Sequence, residues 1–117
     1  MYLYEIYAFL SGVLMELDDK QDLGGNIQLS GFKEISPGEM VVVKKIVGSY
    51  ARKFSDSIKG YETLQVHLKQ VHKTESSEKY ELHAKLVYEG KTKSSESGER
   101  NLFVALDSAL KKLESQM

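Results

Sequence analysis

The sequence predicts an α+β domain in the form of a two-layer sandwich, with a four-stranded sheet and both helices on one face of it. Three observations predict this fold. Apolar and polar residues alternate in the segments read as strands, apolar residues recur every three or four positions in two further segments, and turn or capping residues separate them. The order is β-α-β-β-β-α. Because the sheet has one apolar face and each helix one apolar stripe, both helices must cover the same face to bury all three surfaces.

Length and composition fit one domain, since 117 residues can bury one core but are too few for two ordinary domains. The chain has no Cys, which excludes disulfides, thiolate metal sites and Cys nucleophiles. Residues 1–25 hold one basic and five acidic side chains, a balance of −4, whereas residues 26–117 hold 15 basic and 12 acidic ones, a balance of +3. Any contact of this domain with RNA must therefore depend on where its cations cluster.

Residues 1–25 are interpreted as an N-terminal extension and residues 26–117 as the domain. Residues 1–17 are apolar almost all round, but they lack a basic start and a cleavage site and are shorter than the ~20 residues that span a bilayer, so no membrane anchor is expected. Two alternatives stay open: an extra helix covering an apolar surface, or an extension upstream of a natural start at Met15. Residues 20–26, with Gly24-Gly25, suit a flexible link.

The first strand and the first helix follow this link. Residues 27–32 alternate apolar and polar side chains, as a short strand does. Ser36 precedes Pro37 and stands three residues before Glu39, which is the spacing of a helix capping box. The helix is predicted to run to about Ser55, with an apolar stripe made of Met40, Val43, Val47, Tyr50 and Phe54.

Three strands and a closing helix complete the pattern. Residues 61–71 and 79–88 alternate with period two and form a hairpin, and residues 91–97 are a polar strand at a sheet edge. Residues 101–117 are amphipathic at helical spacing, and their apolar positions are Leu102, Phe103, Leu106, Leu110 and Leu113.

No motif for catalysis is present at recognisable spacing, so the chain is not predicted to be an enzyme and no cofactor is implied. His67 and His83 are predicted to point from the same sheet face, where Glu81 is the nearest candidate for a third metal ligand. The interpretation favoured for these histidines is that of ordinary polar residues on an exposed sheet face, and no metal site is predicted.

The basic residues of the two helices give the candidate binding site. Lys45 and Arg52 are seven apart and share one helix face, with Lys44 and Lys53 beside it, and Lys111 and Lys112 lie near the end of the last helix. Side by side, the two solvent faces would form one surface that binds phosphates without reading base sequence. The alternative is that these cations are only the charged outer faces that soluble helices usually show.

The closing segment NLFVALDSALKKLESQ resembles the last helix of the ribosome hibernation-promoting factors, also called ribosome-associated inhibitors. It keeps Ala105, Asp107, Leu113 and Gln116, with Phe103 where the family usually has Tyr and Asn101 where it usually has Asp. The strings IQLSGF, SPGEMVVVKKIVGSYARKF and KYELHAKLVYEGK are similar to the family's first strand, first helix, and third strand and turn. The resemblance runs from about residue 26 to the end, and it implies a fold like that of a double-stranded RNA-binding domain.

The resemblance implies a cytoplasmic, non-catalytic protein of the short family type. Such a protein binds rRNA at the decoding region of the small ribosomal subunit and excludes mRNA and tRNA from idle ribosomes. The helix-face cations carried over as rRNA contacts are Lys44, Lys45, Arg52, Lys53, Lys111 and Lys112. The basic tail of many members and the dimerising domain of the long ones have no counterpart here. An alternative is a protein-protein interaction module on the same fold, including a homodimer, that docks through residues 2–17.

Overall fold

The computed structural model describes residues 21–22, 26–73 and 78–117. Its elements follow the predicted order, with a two-residue strand added before the first predicted one. They are β1 (Gln21–Asp22), β2 (Ile27–Ser30), α1 (Pro37–Ser57), β3 (Tyr61–Lys73), β4 (Glu78–Tyr88), β5 (Lys91–Glu99) and α2 (Leu102–Ser115). The α+β sandwich, its four main strands and its two helices are therefore confirmed.

The sheet has the spatial order β1-β2-β3-β4-β5. β2 and β3 are parallel, joined through α1, while the other neighbouring strands are antiparallel. β5 lies at an edge, as its polar sequence predicts. β1 lies at the other edge, where Gln21 pairs with Leu29 and Asp22 with Gln28. The segment interpreted as a flexible link thus contributes a short edge strand.

Both helices pack on one face of the sheet, and the core lies between the two layers. α1 contributes Val43, Val47 and Phe54, and α2 contributes Leu106, Leu110 and Leu113, each at most 2% exposed. These side chains meet a strand layer that consists of Leu29, Leu64, Val66, Leu68, Leu82, Ala84 and Leu86. Burying a Leu or Phe side chain stabilises the fold by roughly 1.5–3 kcal/mol, so this layer is the main source of stability.

Local signals fix the ends of both helices. At α1 the Ser36 side chain accepts from the Glu39 backbone N–H, and the Glu39 carboxylate reaches back to the Ser36 backbone, which confirms the predicted capping box. At α2 the Asn101 side chain accepts from the backbone N–H groups of Phe103 and Val104, at 2.9 and 3.1 Å. Asn at this position therefore performs the capping that an Asp would.

The turn after β2 requires glycine. Gly31 has φ +83°, and a Cβ built there would lie 2.2 Å from the backbone oxygen of Leu68 on β3. Only a residue without a side chain fits this close approach. The turn directs the chain from the end of β2 toward the start of α1.

The predictions for residues 1–20 lie outside the described residues. They include the apolar extension, the start at Met15 and docking or dimerisation through residues 2–17. The Gly24-Gly25 pair and residues 74–77, the greater part of the hairpin loop predicted at residues 74–78, lie outside them as well. Within the part that the structure describes, no helix is long and apolar enough to cross a membrane.

Candidate nucleic-acid interface on the two helices

α1 and α2 lie side by side and run in the same direction, held by two contacts between them. The Tyr50 hydroxyl donates a hydrogen bond to Oδ1 of Asp107 at 2.7 Å. Farther along both helices, Lys53 Nζ lies 3.1 Å from Oε2 of Glu114. Because the second contact is later in both helices, their C-terminal ends lie at the same end of the domain. The outward sides of the two helices therefore form one surface, here called the two-helix surface.

Tyr50 sits at the border between the core and this surface. Its ring is buried, with 8% of the residue exposed, while its hydroxyl reaches Asp107. Burial raises the pKa of Tyr50 to about 12, and the hydrogen bond to Asp107 and the negative charges of Asp107 and Glu114 act in the same direction. At neutral pH the phenol is protonated and donates to the carboxylate.

Lys45 and Arg52 occupy the outward side of α1. Both are exposed, and their positions on the helix are opposite the buried stripe that contains Val47 and Phe54. Among the described residues neither forms an ion pair or a side-chain hydrogen bond. These two cations are therefore available to an anionic partner.

Lys53 and Lys111 lie on the same surface but have partners within the protein. Lys53 is paired with Glu114, and its Nζ also lies 5.1 Å from the centre of the Tyr50 ring, a cation-π distance. Lys111 lies 3.7 Å from Oδ2 of Asp107, one helical turn earlier. Two of the predicted phosphate-binding residues are thus locally neutralised.

Lys44 and Lys112 lie on the outer flanks of the helix pair. Lys44 precedes Lys53 by nine residues, which is half a turn around the helix, so it faces away from α2. Lys112 donates to the backbone oxygen of Glu96 on β5 at 2.9 Å, and Gln116 donates to that of Ser94 at the same distance. Lys112 thus helps cover the free edge of β5. The structure brings four of the six predicted cations to the two-helix surface and holds the other two at its sides.

The sequence did not show the contacts that three residues of this surface make. The apolar stripe assigned Tyr50 to the core, and the helical period placed Asp107 and Glu114 on the solvent side. The one available signal was the phenol itself, because a buried Tyr hydroxyl usually finds a hydrogen-bond partner. Which carboxylate serves depends on how the helices are rotated against each other.

The opposite face of the sheet, called the open face because neither helix covers it, carries the two histidines. His67 and His83 are directly opposite each other on β3 and β4, which confirms the prediction that they share a face. His67 Nδ1 lies 2.8 Å from the Ser30 hydroxyl and His83 Nδ1 lies 3.5 Å from Glu96. They line a groove of about 500 Å³. In the described part of the chain no three His, Asp or Glu side chains are grouped so that they could hold a metal ion.

A scan against protein-family models and a search of curated protein sequences find no match. Solved structures do match. A ribosomal subunit interface protein from Coxiella burnetii is 19% identical, with a TM-score of 0.53, over 77% of this chain and 90% of that one. The N-terminal domain of Protein Y from Thermus thermophilus is 20% identical, with a TM-score of 0.48, over 77% of this chain and 89% of that one. The likeness to the Coxiella protein confirms the resemblance inferred from the sequence at the level of the fold.

Proposed function

We propose that this protein is a non-catalytic ribosome-binding factor. It docks its two-helix surface on small-subunit rRNA at the decoding region and inhibits or hibernates idle ribosomes in the cytoplasm by occluding mRNA and tRNA. The observation that carries the proposal is the pair of exposed, unneutralised cations Lys45 and Arg52 on the outward side of α1. It is supported by the fold shared with a solved ribosomal subunit interface protein.

The chemistry of this surface suits phosphates better than bases. Lys and Arg side chains on a helix contact phosphate oxygens and carry no sequence information by themselves. Each phosphate neutralised contributes a slope of roughly −0.7 for a single strand to −0.9 for a DNA duplex to the dependence of log affinity on log salt concentration. Contacts from Lys45 and Arg52 alone then predict a loss of at least roughly 7- to 12-fold in affinity between 50 and 200 mM salt. Steric occlusion requires only that the docked domain fill the site, so no reacting group is needed.

Co-sedimentation with purified small ribosomal subunits across a salt series tests the proposal. The test variant is Lys45→Glu/Arg52→Glu. The matched control is Lys69→Glu/Lys85→Glu, which changes the charge equally at two exposed positions on the strands β3 and β4. We expect salt-sensitive binding that the test variant loses and the control retains. Absence of binding by the unchanged protein at low salt, or equal loss in both variants, would contradict the proposal.

A protein-protein interaction module is the second candidate, and exposed valines favour it. Val41, Val42 and Val104 are 55%, 39% and 52% exposed on the two helices. Exposed apolar side chains suit contact with another protein where they form one contiguous patch. Size-exclusion chromatography of the full chain and of Val42→Ser/Val104→Ser tests self-association. A dimer that the substitutions dissociate would support this candidate, whereas a monomeric mass for both proteins would remove homodimerisation.

A further inference from the structure

The two-helix surface carries its own anions beside its cations. Glu114 lies 3.1 Å from Lys53, and Asp107 lies 3.7 Å from Lys111. These are two of the four cations on the surface, and a phosphate that approaches either lysine meets a carboxylate already there. The lysines are thus occupied in the free protein.

The geometry holds these carboxylates in place. The Tyr50 hydroxyl binds one oxygen of Asp107 while Lys111 lies near the other. Lys53 is placed between the carboxylate of Glu114 and the face of the Tyr50 ring. Because the Tyr50 ring is itself buried in the core, its contacts with Asp107 and Lys53 hold these two charged side chains in place.

We propose that Glu114 and Asp107 act as internal counter-charges, so that RNA phosphates bind Lys53 and Lys111 only by displacing these carboxylates from the lysines. This inference rests on the proposed function. Lys45 and Arg52 make the first contacts. RNA with several closely spaced phosphates engages all four cations, whereas RNA that offers few phosphates stays weakly bound. Glu114 and Asp107 are in this sense affinity-limiting residues of the surface.

The ion pairs are weak enough for such an exchange. The side chains of Lys53 and Glu114 are 55% and 39% exposed, and those of Lys111 and Asp107 are 70% and 47% exposed. Breaking an exposed ion pair of this kind to free its lysine for RNA weakens the binding constant by only about 1.4- to 5-fold. A lysine freed from its carboxylate also adds one phosphate contact, which steepens the salt dependence by roughly 0.7 for single-stranded RNA.

Glu114→Gln tests this inference most directly, because the Tyr50 hydroxyl binds Asp107 and not Glu114, and because the amide keeps the side-chain shape. The matched control is Asp56→Asn, which removes the same charge from an exposed position near the end of α1. Among the described residues Asp56 pairs with no lysine, so its substitution frees none. Binding of each full-length variant to poly(U) RNA is measured by fluorescence anisotropy at several salt concentrations, with circular dichroism as the check of folding.

We expect Glu114→Gln to bind poly(U) about two- to fivefold more tightly and with a steeper salt slope, and Asp56→Asn to change neither by as much. In a Lys53→Met background the gain from Glu114→Gln should fall to that of Asp56→Asn. Equal effects of Glu114→Gln and Asp56→Asn, or a gain that persists without Lys53, would overturn the inference. Such a result would leave the proposed function standing if the unchanged protein still binds small subunits, while failure of that binding overturns both.

Discussion

Replacing Tyr50 by Phe is expected to lower the free energy of unfolding by about 1–2 kcal/mol. The ring and its packing stay, so the change removes only the hydroxyl that donates to Asp107 at 2.7 Å. Hydrogen bonds to charged groups contribute roughly 1.5–3 kcal/mol, and the lower end applies because the Asp107 side chain is 47% exposed and water replaces part of the bond. Since each kcal/mol lowers the melting temperature of a domain of this size by about 4–8 °C, the substitution should lower it by about 4–16 °C.

Urea unfolding of Tyr50→Phe and Tyr80→Phe measures this effect against a control. Tyr80 also donates to a carboxylate, that of Glu78 at 3.1 Å, but this acceptor is exposed and is the first residue of β4. The same substitution there should cost less than about 0.5 kcal/mol. A double-mutant cycle with Asp107→Ala should show that the two residues are coupled. A loss for Tyr50→Phe no larger than that for Tyr80→Phe would refute the view that this bond aligns the helices.

Three further predictions concern stability. Gly31→Ala should lower the free energy of unfolding by more than about 2 kcal/mol, because a Cβ at φ +83° meets the Leu68 backbone oxygen. Gly48→Ala, where a Cβ meets nothing within 4 Å, should instead stabilise α1 by about 0.5–1 kcal/mol. Urea unfolding of both variants checks this contrast. The pKa of Tyr50 rises from 10.0 to about 12 on folding, so the stabilisation by its hydroxyl is complete below pH 10 and is lost as the pH rises toward 12. Unfolding of the unchanged protein and of Tyr50→Phe from pH 9 to 12 should therefore converge, and a constant difference would contradict this. Asn101→Ala should lower the free energy of unfolding by about 1 kcal/mol, since two backbone N–H groups lose their acceptor. Asn101→Asp keeps an acceptor for them, so its melting temperature in thermal unfolding should stay near that of the unchanged protein.

The sequence predicts most of the fold because periodicity and capping are local signals. The stripe ending at Phe54 and the capping box at Ser36 define α1, and strict alternation defines β3 and β4. β1 was not predicted as a strand, because two residues are too few to show a period and their pairing depends on β2. The parallel pairing of β2 with β3 is likewise set by how the layers pack.

The candidate site is less predictable, because it depends on how two helices are rotated about their axes. The helical period places Lys45 and Arg52 on one outward face, where the structure also has them. It cannot show that Lys53 meets Glu114 or that Lys112 turns to the edge of β5. Those contacts join residues of different elements, and small rotations of either helix would change them.

The orientation of the protein on the small ribosomal subunit tests the central claim most directly. A cryo-electron microscopy reconstruction of the complex would show which side of the domain faces the rRNA. We predict that Lys45 and Arg52 lie against phosphates at the decoding region while the open sheet face with His67 and His83 is turned away. A complex in which the open face contacts the rRNA, or in which the domain binds away from the decoding region, would contradict the account.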